Sequence, residues 1–254
     1  MTRIRIATMI WCAPLLLAGC GGGGRAEPAE ANAADPVAAG TARPVVASTA
    51  TPLPARTTAA AMLRRDRPLS CAADIGAAAA ARRVAICRDV SPATRPPCNA
   101  ANSCAMIDDE IARSCALFDG EGEPMAGCTP PPKSPAAAAA AVQRYYAALN
   151  AGDYDTAWQQ WGDDGRPGQT RAAFERGFAH TRTTRVTIGT LPPGDGAAGS
   201  LYQPVPVTVE ATLDDGRRQR FRGEYVVRRV NDVDGASPGQ LRWHIDSARL
   251  KLVG

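Results

Sequence analysis

The chain has 254 residues, of which 45% are hydrophobic and 21% charged, and it carries a formal net charge of +4. This composition excludes wholesale disorder and a membrane protein with several spans, and so balanced a charge does not indicate nucleic-acid binding. At about 150 residues per domain, the length allows one or two domains.

The N-terminus, residues 1–19, has the organisation of a secretory signal peptide. Positive charge at Arg3 and Arg5 precedes an apolar run, residues 6–17, that is too short to span a bilayer as a helix. The run ends in the segment Leu17-Ala18-Gly19-Cys20, which resembles the lipobox of bacterial lipoproteins. The resemblance implies cleavage before Cys20 and acylation of Cys20. An ordinary signal peptide with a chance cysteine is the alternative.

Gly21 follows the predicted lipid site, and in Gram-negative lipoproteins a residue other than Asp at this place implies the outer membrane. We therefore expect the chain to be lipid-anchored in the bacterial envelope through Cys20, at the outer membrane and facing the periplasm. Residues 20–68 comprise the lipidated cysteine and a tether rich in Ala, Pro and Gly, without an aromatic residue. Such a segment buries too little apolar area to fold, so it is predicted to be a disordered spacer on the order of 40 Å long.

Six cysteines lie within 58 residues of the next segment, 69–128. An even number of closely grouped cysteines in an exported chain predicts disulfides, which would stabilise a small module with few large apolar side chains. Zinc is the alternative, but there is no Cys-x-x-Cys and both histidines are distant, so no metal site is predicted. The six are Cys71, Cys87, Cys98, Cys104, Cys115 and Cys128.

Two helices are predicted in this six-Cys module. Ser70 can cap the first, over 71–88, and Ser103 can cap the second, which reaches residue 118. Cysteines on one unbroken helix lie too far apart along its axis to bond each other. Each cysteine must therefore reach another element, and the connectivity stays open.

A Pro-rich linker, 129–134, leads to residues 135–254, which hold 11 of the 13 aromatic residues and therefore the main core. Helical spacing predicts helices over 135–150 and 154–161, and a third one capped by Thr170 that buries Phe174 and Phe178.

After these helices the apolar period changes to two, which predicts antiparallel strands. Gly216 is expected to take the left-handed position of a three-residue turn between the two longest strands. This turn aligns apolar residues with apolar ones and acidic with basic ones. The predicted pairs are Val209 with Phe221, Val205 with Tyr225, and Glu210 with Arg220. The last strand is predicted to include Leu241, Trp243 and Ile245, and a change of parity after Ile245 predicts a β-bulge within 246–248.

Three helices followed by four long antiparallel strands resemble the NTF2-like (SnoaL-like) cone fold. The segments that carry the resemblance are Tyr145–Leu149, Gly152–Trp158, the helix from Phe174 to Phe178, and Arg242–Ile245. The expected fold class is therefore α+β: an NTF2-like cone of three helices and a curved four-stranded antiparallel sheet, preceded by the six-Cys module and the tether. The resemblance also implies a cavity on the concave side of the sheet and a homodimer through the sheet.

The inward positions of the predicted sheet are apolar, so no catalytic residue, cofactor or metal is predicted. Tyr146, Tyr225 and Trp243 are the candidate ligand-pocket residues, because each would bring a polar tip into an apolar cavity. An enzyme would need an ionisable group inside the cone, and Asp246, Asp163 or His180 would be the candidates. Alternation places Asp246 on the outer face of the sheet, beside His244.

Two further patterns have ordinary explanations. The Gly-rich segment 194–199 matches G-x-G-x-x-G by letter but lacks the following helix, so a hairpin loop is predicted. Arginines at 218, 220, 222 and 228 share one strand face, which indicates a solvated surface or a site for an anionic envelope partner.

The sequence thus predicts a non-enzymatic cell-envelope lipoprotein whose NTF2-like domain binds a protein partner or an apolar small ligand. One alternative is an NTF2-like isomerase or dehydratase acting on a hydrophobic substrate. Another is a structural protein of the envelope. The fold alone does not choose among them.

Overall fold

The computed structural model describes residues 67–92 and 97–253. The predicted signal peptide, Cys20 and nearly all of the tether lie outside these ranges. The described residues belong to one compact unit. Within it, helical elements come first and a mainly antiparallel sheet follows.

Three helices form the N-terminal part: α1 (Cys71–Ile75), α2 (Ala77–Val90) and α3 (Cys104–Leu117). The Ser70 hydroxyl caps α1 and the Ser103 hydroxyl caps α3, as predicted. The prediction of one helix over 71–88 was wrong, because Gly76 separates α1 from α2 with a φ of 84°. Glycine adopts this conformation without the steric cost that a Cβ would add, so the chain changes direction there.

Disulfides join all six cysteines of this part, which confirms the disulfide prediction. Their Cα–Cα distances are 4.4, 5.4 and 5.5 Å, and no bond joins two cysteines of one helix. The pairs are Cys71–Cys104, Cys87–Cys98 and Cys115–Cys128. The first two pairs lie in a small core with Ala80, Val84 and Ile107.

The next three helices are α4 (Pro135–Asn150), α5 (Tyr154–Gln159) and α6 (Arg171–Gly177). Their starts agree with the predictions, because the side chains of Ser134, Asp153 and Thr170 accept hydrogen bonds from backbone N–H groups of the first turns. The second helix ends at Gln159, two residues before the predicted end.

The sheet consists of β1 (Thr181–Ile188), β2 (Asp195–Ala197), β3 (Ser200–Leu213), β4 (Arg218–Val230) and β5 (His244–Leu252). Its strands are antiparallel in the order β1-β3-β4-β5, and β2 pairs with the beginning of β3. The predicted loop at 194–199 is therefore a short strand that turns directly into β3.

The predicted register of the β3–β4 hairpin is confirmed. The structure pairs Val209 with Phe221, Val205 with Tyr225, and Glu210 with Arg220. Gly216 has the expected positive φ, 84°.

The predicted bulge is also confirmed. Val226 pairs with Ser247 and Val227 with Ile245, which leaves Asp246 as the extra residue of β5. Leu241 does not belong to the last strand, however. A capping box between Ser237 and Gln240 starts a short helix, α7 (Pro238–Leu241), and β5 begins only at His244.

Helix α4 occupies the centre of the unit. One side of α4 packs against β1, β3, β4 and β5, where the largest apolar core forms, and the other side contacts α3. The fold is α+β, as predicted: the disulfide-linked helices come first, and three further helices precede an antiparallel sheet. The predicted domain boundaries, including the linker at 129–134, stay predictions.

Candidate functional site

Two of the three predicted pocket residues meet between α4 and the sheet. The hydroxyl oxygens of Tyr146 and Tyr225 lie 2.7 Å apart and form a hydrogen bond. Only 5% of Tyr146 and 2% of Tyr225 is exposed to solvent. Burial raises the pKa of both phenols above the usual value, so both stay neutral.

Aromatic side chains occupy the space around this tyrosine pair. Tyr145 contacts Tyr146, Trp161 and Tyr225 with ring-centroid distances of 5.0, 6.0 and 6.2 Å, all in edge-to-face geometry. Phe174 lies beside Tyr145, at 6.3 Å. This region of the predicted concave cavity is therefore packed with the protein's own rings.

Trp243, the third predicted pocket residue, belongs to the same buried core as the tyrosine pair but has a different hydrogen-bond partner. Its Nε1 donates a hydrogen bond to the Pro132 carbonyl oxygen at 2.7 Å, which ties residues 129–134 to the start of β5. Trp243 lines a groove on the opposite side of α4 from the sheet.

The three residues considered for catalysis lie at the surface. Asp163 and Asp246 are exposed, and 90% of the His180 side chain is accessible to solvent. His180 lies 3.7 Å from Asp214, another exposed residue. His244 is half-buried, and burial lowers its pKa. These groups do not converge on one site.

A buried polar network connects α3 with α4, α5 and the start of β5. Asp109 accepts a hydrogen bond from Gln160 Nε2 at 2.8 Å and lies 3.6 Å from Arg242 Nη1 and 3.8 Å from Arg144 Nε. Burial alone would raise the pKa of Asp109. The two guanidinium groups and the Gln160 amide outweigh it and hold this pKa below the usual value.

A second polar contact joins the same parts of the molecule. The Ser103 hydroxyl, which caps α3, donates a hydrogen bond to Asp153, the capping residue of α5. Asp153 also accepts bonds from the backbone N–H and the hydroxyl of Thr156, at 3.0 and 2.8 Å. One buried carboxylate thus fixes how α3 lies relative to α5.

An open groove of about 540 Å³ lies between α1–α3 and α4, and we call it the inter-helix groove. Its apolar walls include Ile75, Ile86, Ile111, Trp243 and the α4 alanines Ala137, Ala140 and Ala147. The disulfide Cys115–Cys128 also lines it. Ile75 and Ile86 are 39% and 40% exposed, which is unusual for large apolar side chains beside a core.

Charged groups in the inter-helix groove are mainly basic. Four arginines and one aspartate contribute to its lining: Arg82, Arg83, Arg144, Arg242 and Asp108. Burial raises the pKa of Asp108, against the opposing effects of Arg83 and Arg144. The groove therefore combines apolar walls with a net positive lining, a composition that suits binding better than acid–base catalysis.

Sequence reasoning missed this groove and its network, because both depend on contacts between distant segments. Arg144 was the one feature of the sequence that could have indicated the network. It is a charged residue within an Ala-rich helix, and it lies on the side of the helix away from the predicted sheet contacts.

On the outer face of the sheet Arg218, Arg220 and Arg222 are exposed. Arg228 is half-buried, and its Nε donates a hydrogen bond to the Ser200 hydroxyl oxygen at 3.1 Å. Arg220 forms an ion pair of 2.6 Å with Glu210, and Arg228 lies over the Tyr202 ring at 5.7 Å. Exposed pairs of this kind contribute little to stability.

Within residues 67–92 and 97–253, no helix is long and apolar enough to cross a bilayer. The same residues contain no group of three or more His, Cys, Asp or Glu side chains placed to hold a metal ion.

No protein-family model matches the chain, and no curated protein matches it. Part of the chain is similar to a proposed scytalone dehydratase from Novosphingobium aromaticivorans, at 15% identity and a TM-score of 0.35, over 47% of this chain and 83% of that one. A proposed aromatic ring hydroxylase from the same organism has 14% identity and a TM-score of 0.36, over 47% and 89%.

A conserved protein from Planctomyces limnophilus has 13% identity and a TM-score of 0.35, over 46% of this chain and 96% of that one. Likenesses at this level say nothing about the activity of this chain.

Proposed function

We propose that the chain is a lipid-anchored protein of the bacterial envelope whose folded part binds an apolar ligand or partner in the inter-helix groove and catalyses no reaction. Attachment would occur through Cys20 at the outer membrane, with the folded part in the periplasm. Three disulfides support an oxidising compartment.

The inter-helix groove is the observation that carries this proposal. Its volume of about 540 Å³ lies within the range of about 300–1,000 Å³ that small-ligand sites occupy. By contrast, the tyrosine pair and its neighbouring rings fill the space where an NTF2-like enzyme would hold substrate. The candidate acids and bases lie at the surface.

Native mass spectrometry of the protein purified from envelopes tests the binding function. We expect a bound apolar molecule in the wild type and its loss in Ile86→Asp, which places a charge on the groove wall. Val233→Asp is the matched control, because Val233 is a similarly exposed apolar residue, at 55%, that does not line the groove. Equal occupancy in both variants would contradict binding in the groove.

The anchor is tested by metabolic labelling with a fatty-acid analogue and by membrane fractionation. Cys20→Ser should abolish labelling and release the protein or leave an unprocessed precursor. Cys12→Ser, within the predicted signal peptide, should behave as wild type. Normal labelling of the Cys20 variant would contradict the lipoprotein assignment.

The non-catalytic part of the proposal has its own test. A turnover reaction that is lost on substitution of Asp163, His180 or Asp246 would contradict it.

A further inference from the structure

We infer that the inter-helix groove binds an apolar molecule ending in a single carboxylate, of the fatty-acid type, and that Arg144 contacts the carboxylate. This inference rests on the proposed function, since it names the ligand class of the same groove. Four observations support it. Arg144 has nitrogens without a hydrogen-bond partner among the described residues, whereas the neighbouring Arg242 already binds other groups of the protein. The walls of the groove are apolar and helical, and its volume suits a single hydrocarbon chain.

Arg144 is a buried cation with donors to spare. About 10% of its side chain is exposed, yet it lines the groove. Among the described residues its side chain makes one hydrogen bond, from Nε to Gln160 Oε1 at 3.3 Å, and Asp109 lies 3.8 Å from the same Nε. The terminal nitrogens Nη1 and Nη2 are left for a ligand, and a carboxylate matches their fork.

Arg242, the other buried guanidinium of the groove, is already engaged by the protein. It lies 3.6 Å from Asp109, and its Nη2 donates to the Gln159 carbonyl oxygen at 2.8 Å.

The Asp108 carboxylate would repel the carboxylate of a ligand. Its charge is offset by Arg83, whose Nη1 lies 3.2 Å from Asp108 Oδ2. Asp108 is thus paired with Arg83, and Arg82, the fourth arginine of the groove, is exposed. Within the buried part of the lining, a further negative charge therefore fits beside Arg144.

The walls favour a ligand that has no polar groups along its length. Helices α1–α4 form most of the groove, and helices satisfy their internal N–H and C=O groups within themselves. A bound extended peptide would find no strand edge with which to pair its own backbone. Ile75, Ile86 and Ile111 instead offer aliphatic contacts to a hydrocarbon chain.

The size of the groove disfavours an amphipathic helix as the occupant. One turn of a helix about 10 Å across and 5.4 Å long fills about 420 Å³. The groove, at about 540 Å³, would hold little more than one turn. A single hydrocarbon chain is much thinner and can run along the apolar walls.

Calorimetric titration tests the inference on the whole chain carrying Cys20→Ser, so that no attached acyl group competes. Dodecanoate, below its micelle-forming concentration, is the probe, and dodecanol is the matched probe without the charge. We expect dodecanoate to bind about ten-fold or more tightly than dodecanol, because a charge-assisted hydrogen bond is lost in the alcohol.

Arg144→Met removes the charge and keeps the aliphatic length. It should weaken dodecanoate about ten-fold or more and leave dodecanol unchanged. Arg144→Lys should recover part of the affinity. Arg82→Met is the control, a loss of the same charge from another groove arginine, and should have a small effect. If Arg144→Met fails to fold, Arg144→Lys and the comparison of the two probes on the unsubstituted groove still test the carboxylate contact. Ile86→Asp should weaken both probes and so tests the groove itself.

The outcomes separate the ligand class from the groove itself. Equal binding of dodecanoate and dodecanol, or dodecanoate binding that Arg144→Met does not change, would overturn the carboxylate inference and leave the proposed function standing. A peptide with an apolar, free C-terminus that displaces dodecanoate at lower concentration would also overturn it, in favour of a protein partner. Failure of both probes to bind would overturn the inference and the groove function together.

Discussion

Asp109 is the residue whose loss should most directly test how the disulfide-linked helices are held to the rest of the unit. Its carboxylate lies 3.6 Å from Arg242 and 3.8 Å from Arg144 and accepts a 2.8 Å hydrogen bond from Gln160. Asp109→Asn leaves two buried guanidinium groups without their shared counter-charge. Breaking a buried pair costs about 3–5 kcal/mol. Asn keeps an acceptor for Gln160, so we expect the lower end, about 3 kcal/mol.

Urea unfolding of the oxidised protein at pH 7, followed by circular dichroism, measures this loss. With a slope near 2 kcal/mol per molar urea, the midpoint should fall by about 1.5 M. Asp155→Asn is the matched control. Asp155 pairs with Arg171 at 2.7 Å, but 81% of its side chain is exposed, so its loss should cost no more than about 1 kcal/mol. Equal, small losses in both variants would refute the network as a stabilising contact.

The loss of unfolding free energy caused by Asp109→Asn should depend on pH. The folded state lowers the pKa of Asp109, so its carboxylate contributes stability above the usual carboxyl range and loses it as the pH falls through the folded value. The difference between wild type and Asp109→Asn should be fully present at neutral pH and shrink below about pH 4. Burial raises the pKa of Asp108, and the neighbouring Asp109 charge raises it further, so Asp108 contributes to the difference only through this second, smaller effect. If the difference in unfolding free energy between the two proteins stayed constant down to about pH 2, this would contradict a lowered pKa of Asp109 in the folded state.

The remaining predictions concern stability and are measured by the same urea assay. Tyr146→Phe should cost about 1–3 kcal/mol by leaving the Tyr225 hydroxyl unpaired, and the double Phe variant should cost less than the sum of the two single ones. Gly223→Ala should prevent normal folding, because its Cβ would lie 1.9 Å from a backbone oxygen of β5, whereas Gly177→Ala meets open space and should be tolerated. Ser103→Ala should cost about 2 kcal/mol, since both the α3 cap and the contact with α5 are lost.

Local patterns were enough to predict much of the sheet. The β3–β4 register follows from one turn residue, Gly216, and from matching apolar with apolar residues across it. The bulge at Asp246 follows from a change of parity in one strand. Both features depend on residues that are close in sequence, so the alternation of apolar and polar residues is enough to predict them.

Contacts between distant segments were out of reach for the same reasoning. Asp109 and Arg242 are 133 positions apart in the sequence, by their residue numbers, yet share one ion pair. Periodicity shows that a face is buried but not what buries it. The candidate pocket residues Tyr146 and Tyr225 do lie in the interior, but the Trp161 ring that packs against Tyr225 comes from a distant segment, and periodicity does not predict such a contact.

The bond between Cys115 and Cys128 makes one wall of the inter-helix groove dependent on oxidation. Both sulfurs belong to its wall, so the wall is complete only after this bond has formed. Disulfides of this kind form after a chain leaves the reducing cytosol. On the proposed function, a complete groove is available to a ligand only once the chain has reached an oxidising compartment.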